Sequence, residues 1–189
     1  MRKIIFILFF SLMMITTVAA VDSSSWSNVT IENHVFKIPP KYNGGKLNNN
    51  SYQIGNWNNF AILCVDNYLA NNYGFEVDTY GPGEDLNIDG HPARYFHGYN
   101  KYEKCELSRI YFSVGKSIYC ISWQSNNLTD DVKEIIASSD PSEISSNNFY
   151  NTLDGAYEDY IAEEEEDENA YIPSSTSSNT HNHHFFIRI

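Results

Sequence analysis

The sequence predicts an α+β fold: a mostly antiparallel β-sheet built from hairpins and packed by two C-terminal α-helices. Three observations carry this expectation. The segment Arg109 to Trp123 alternates around a central Gly115-Lys116 pair, as a two-residue β-hairpin does. The other clear strand connections are short, which favours antiparallel pairing. The longest runs of apolar residues at helical spacing begin only after Leu128.

Taken in order, residues 1–20 read as a signal peptide. Arg2 and Lys3 precede an apolar run from Ile4 to Ile15, and Val18-Ala19-Ala20 supplies small residues for cleavage before Val21. An uncleaved membrane anchor is the alternative, although Ser11, Thr16 and Thr17 interrupt a stretch at the lower limit of about 17 residues for spanning. Residues 21–28 form a polar lead-in to a single α+β domain at 29–168. Val29 to Ile38 predicts a hairpin or bent strand turning at Glu32-Asn33-His34 and stopped by Pro39-Pro40. Lys41 to Ser51, rich in Asn and containing Gly44-Gly45, is expected as a surface loop. Phe60 to Asp66 is almost continuously apolar and predicts a strand buried on both faces.

Asn67 to Tyr73 predicts a short helix ended by Gly74. After the Gly81-Pro82-Gly83 break, Leu86 to Ile88 and Ala93 to Tyr99 form an antiparallel pair about Asp89-Gly90. In the hairpin that follows, Val114 should pair with Ser117, Phe112 with Tyr119 and Ile110 with Ile121. One face, completed by Trp123, is then apolar, and the other, Arg109, Tyr111, Ser113, Ile118, Cys120 and Ser122, is mixed. A helix over Leu128 to Ala137 is capped by Thr129. A second, from about Ser146 to Glu165, aligns Phe149, Tyr150, Leu153, Tyr157, Tyr160 and Ile161. This stripe is expected against the apolar hairpin face, with fraying from about Glu163. Residues 169–189 are a Ser/Thr/Asn- and His-containing tail, expected to be disordered; the competing reading returns Phe185 to Ile187 to an open sheet edge.

Composition bounds function. Hydrophobic residues make up 42% and include 14 Tyr, 11 Phe and 3 Trp, enough for a packed core. Loss of Arg2 and Lys3 takes the formal charge from −12 to −14, which disfavours nucleic acid and anionic membranes as partners. Export permits disulfides, and Cys64, Cys105 and Cys120 allow three single pairings or none, with Cys105 the most exposed thiol expected.

The remaining motifs are weak as chemistry. His181, His183 and His184 match transition-metal donors but have no fold to fix them. The acidic run Glu163 to Glu168 lacks the spaced ligands of a calcium loop. No metal and no cofactor is expected. For catalysis the candidates are Asp89, His91, Arg94 and His97, with Glu84 and Asp85 nearby; an Asp beside a His makes a base and its orienting group. Asn28-Val29-Thr30, Asn49-Asn50-Ser51 and Asn127-Leu128-Thr129 match the N-glycosylation acceptor pattern.

Phe36-x-Ile38-Pro39, Tyr42-x-Gly44-Gly45, Ser117 to Trp123 and Phe149-Tyr150-x-x-Leu153-Asp154, in that order in an exported chain, resemble small exported proteins of methanogenic archaea with no assigned activity. The element order is also similar, at a distance, to the PsbP/Mog1-type fold. That resemblance implies accessory or binding roles. The expected function is a non-enzymatic exported binding or envelope-associated protein with an exposed aromatic patch, for which Tyr95, Tyr99 and Tyr111 are candidates. The alternative is an extracytoplasmic hydrolase-like enzyme with a deep pocket at Asp89, His91 and His97.

Overall fold

The computed structural model describes residues 21–170. The expected signal peptide, the tail from Tyr171 onward and its three histidines lie outside the described residues. The fold is α+β, with a seven-stranded antiparallel sheet, a separate two-stranded hairpin and three helices.

The hairpin comprises β1 (Ser27–Ile31) and β2 (His34–Ile38), turning through Glu32 at φ 52°. The first strand therefore starts inside the expected lead-in, where Trp26 already packs on the core. The Asn-rich stretch expected as loop contains β3 (Lys46–Leu47) and delivers β4 (Ser51–Ile54). Then come β5 (Phe60–Cys64), α1 (Leu69–Tyr80), β6 (Glu84–Ile88) and β7 (His91–Asn100). Next are β8 (Cys105–Val114), β9 (Ser117–Trp123), α2 (Asp130–Ala137) and α3 (Ser146–Ala170). The sheet order is β3-β4-β5-β9-β8-β7-β6, so the hairpin that dominates the sequence is also the sheet's centre. Its register is the expected one, with Val114 opposite Ser117, Phe112 opposite Tyr119 and Ile110 opposite Ile121. Gly115 closes it at φ 55°.

Both sheet faces are covered. The apolar face, Phe60, Ile62, Ile110, Phe112, Tyr119, Ile121 and Trp123, packs against β1, β2 and Val132, Ile135 and Ile136 of α2. The mixed face carries Tyr111, Ile118 and Cys120 against Tyr73 of α1 and Phe149 and Leu153 of α3. The expectation that α3 covers the apolar face is thus corrected. The short β1–β2 hairpin and α2 already fill that face, and the second apolar set on β7, β8 and β9 needs the longer helix.

The helix expected to stop at Gly74 instead runs through it to Tyr80 and ends at Gly81, φ 86°. Gly74 marks a close approach rather than a terminus: a Cβ there would lie 2.1 Å from Cγ of Tyr160 on α3. Thr129 caps α2 as expected, accepting the Val132 N–H at 3.4 Å. The helix α3 continues past Glu165 to Ala170. Among the described residues no helix is long and apolar enough to cross a membrane.

The link between α2 and α3 crosses from one face to the other around the β8–β9 turn. Gly115 N–H donates to Pro141 O at 3.0 Å, Glu143 N–H donates to Gly115 O at 2.7 Å, and the Ser113 and Ser142 hydroxyls lie 2.5 Å apart. His34 lies over Gly115 and hydrogen-bonds Asp140 at 3.0 Å, tying the β1–β2 turn to the same strap.

Candidate functional site

Strand periodicity decides where the expected catalytic residues fall. Alternate residues of β7 point to opposite faces, so His91, Tyr95 and His97 share the apolar face while Arg94 and Phe96 face α1 and α3. His91 is buried, with Nδ1 2.8 Å from Ser113 O. His97 is exposed and stacks on Tyr95 with ring centroids 5.2 Å apart. Six residues of strand, about 20 Å, separate the two imidazoles. Asp89 forms the exposed β6–β7 turn at φ 48°. The structure does not bring these three together, and neither of the two concavities described below contains them.

Arg94 has a structural partner set. Its Nε donates to Asp85 at 2.7 Å and its Nη1 to Asp154 at 2.7 Å and to the Tyr73 hydroxyl, joining β7 to β6, α3 and α1. Glu84 sits at the start of the edge strand β6. The expected aromatic patch is corrected as well. Tyr95 and Tyr111 are buried because both sheet faces are covered, and only Tyr99, 60% exposed, remains at the surface.

The thiols do not pair. Cys64 and Cys120 lie on adjacent strands but on opposite faces, since Leu63 is the residue facing Cys120. Cys105 sits at the far end of β8, about 20 Å along the ladder from the Tyr111 that faces Cys120. All three are free. Burial pushes the Cys64 thiol from its ordinary value near 9 up to about 11, and the Cys120 thiol up to about 12 against a smaller opposing pull from Arg109. Both sulfurs are therefore protonated thiols at neutral pH, poor nucleophiles and poor metal ligands. Among the described residues no group of three or more His, Cys, Asp or Glu side chains is gathered to hold a metal.

A pH dependence follows from the direction of these shifts. A folded pKa above the unfolded one leaves stability intact below about pH 9 and removes it as pH rises through the folded values. Each thiol then contributes a loss of roughly 1.4 kcal/mol per pH unit in its window. The thermal midpoint is expected to be level from pH 7 to 9 and to fall between 9 and 11. The fall should be shallower in Cys120→Ala, and a plateau reaching past pH 11 would refute the assignment.

A candidate surface that sequence reading missed lies where the chain leaves β5. The 3-10 turn Asp66–Tyr68 separates two concavities that share Asp66 and Asn67. The smaller, about 210 Å³, is walled by Glu32, His34, Cys64 and Ser117. Asp66 is fixed there, accepting the Ile118 N–H at 2.7 Å, with the Cys64 sulfur 3.6 Å away. The larger is an open groove of about 450 Å³ between the start of α1 and the middle of α3, with a floor of Leu69, Ala70, Gly155 and Ala156. Its rim carries Asn67, Asn71, Asn151, Asp159 and Glu163, none of which makes a side-chain hydrogen bond or ion pair among the described residues. Tyr68, 54% exposed, stands beside them. The signal available in the sequence was the amide density of Asn67, Asn71, Asn72 and Asn151, which helical spacing alone assigns to solvent. Comparison of the chain with family models, curated proteins and solved structures finds no match.

Proposed function

We propose that the chain is an exported, non-enzymatic binding or envelope-associated module, akin to small exported archaeal proteins, whose ligand seat is the groove between α1 and α3. One observation carries the reading: a rim of amides and carboxylates without protein partners around a small apolar floor. Each amide offers both donors and an acceptor, the pairing that vicinal hydroxyls require. The Tyr68 ring offers an apolar face for the C–H side of a sugar ring. The groove has acids but no Lys or Arg, which favours a neutral polyhydroxylated ligand over a phosphate or uronate.

Titration of ¹⁵N-labelled protein with neutral oligosaccharides, chitotriose and maltotriose first, tests it by NMR. Saturable shifts are expected at 66–71 and 151–163, with affinity about tenfold weaker in Asn71→Ala through loss of one hydrogen-bonding pair. Shifts centred on His91 and His97, or none with any sugar, reject the groove as the seat.

A further inference from the structure

We infer that Asn28, Asn49 and Asn127 carry N-linked saccharide, and that this coat is confined to the side of the molecule formed by the β1–β2 hairpin and α2. The inference rests on the exported reading but not on the groove.

All three asparagines are exposed. Asn28 lies on β1 itself, and the Asn49 carbonyl accepts the Glu32 N–H at the hairpin turn, 3.0 Å away. The Asn127 carbonyl accepts the Trp123 indole N–H at 3.2 Å, just before α2. The opposite side is no poorer in asparagine. Asn67, Asn71, Asn72, Asn147, Asn148 and Asn151 lie on α1, α3 or the turn before α1, yet none begins an Asn-x-Ser/Thr triplet. The acceptors therefore spare the α1/α3 side and its groove.

The three sites differ in how the fold treats the hydroxyl two residues on, which must be free along with the amide when the sugar is transferred. In β1, residues two apart share a face, and both Asn28 and Thr30 are exposed. Ser51 is buried in β4, and its hydroxyl accepts from Asn48 at 3.4 Å. The Thr129 hydroxyl is committed to the cap of α2. Asn28 alone is presented by the folded chain, whereas Asn49 and Asn127 must be modified before β4 and α2 set. In each transfer Nδ2 of the asparagine forms a bond to C1 of a saccharide carried on a lipid phosphate. The C1–oxygen bond breaks, its electron pair leaves with the lipid phosphate, and the amide proton passes to solvent.

Mass spectrometry of the protein from its native host reads the amino terminus and the three acceptor peptides together. A terminus at or near Val21 is expected, with saccharide on Asn28 at the highest occupancy and on Asn127 at the lowest. Thr30→Val should remove the Asn28 increment alone. A processed terminus with three bare asparagines, or saccharide on Asn127 but not Asn28, overturns the inference while export stands. A bare chain still beginning at Met1 overturns both, and a saccharide-bearing chain beginning at Met1 supports the inference and rejects cleavage.

Discussion

Arg109→Met is expected to destabilise the protein by about 3–5 kcal/mol, because it strips the counter-charge from a carboxylate sealed inside the α1/α3 layer. Glu76 of α1 is 1% exposed and pairs with Arg109 of β8, itself 8% exposed. Arg109 also reaches Asn58 at 3.3 Å and Ser122 at 3.4 Å, whereas Oε2 of Glu76 has no hydrogen-bond partner. The pair is thus already incompletely satisfied, and removing Arg109 leaves the buried Glu76 carboxylate without its counter-charge. On a chain of this size the loss is a fall of roughly 6–20 °C in thermal midpoint. The informative companion is Glu76→Leu with Arg109→Met, since apolar replacement of a whole buried pair is often neutral or stabilising. Urea denaturation of the two variants decides it. A double variant as unstable as the single one would mean that shape and packing, rather than charge, are what the pair supplies.

Phe112→Ala is expected to cost about 3–5 kcal/mol from the opposite face. Phe112 is fully buried, edge-on to Phe36 at 6.4 Å and beside Tyr119 at 6.1 Å, so its removal opens a cavity between the sheet and the β1–β2 hairpin. Ser113→Ala, one residue on, removes no comparable volume and only the Ser142 contact, and should cost about 1 kcal/mol. Equal denaturation midpoints for the two variants would contradict the packing described.

Particular residues show how far the sequence alone was legible. Alternation about Gly115 fixed the register of the central hairpin because a turn of two residues leaves one pairing in phase with an apolar face. The same alternation could not say what covers each face. Tyr111, Ile118 and Cys120 read as a mixed surface beside Arg109 and Ser113, since a buried arginine looks like an exposed one until Glu76 is seen across from it. Gly74 misled for a related reason: its missing side chain serves Tyr160, 86 residues later, and local spacing holds no trace of that ring. The groove was illegible because it belongs to two helices, each contributing asparagines that look like ordinary solvated positions. Tyr95 and Tyr111 illustrate the converse, aromatic residues that composition offers to a ligand and the second layer withdraws.

The sheet also acts as a partition between the two cores. Because α2 and α3 lie on opposite faces, a side chain deep in one layer meets the other only through the paired backbone, and energetic coupling between distant sites without shared partners is small. Among the described residues the exceptions include the strap at Gly115, where Ser142, Pro141, Asp140 and His34 meet, and the turn at Asp66, which meets Cys64 and Ile118. Substitutions in the hairpin layer and in the α1/α3 layer should therefore combine additively, and the two halves are free to diverge at different rates. Epistasis should concentrate on the handful of residues around these crossings.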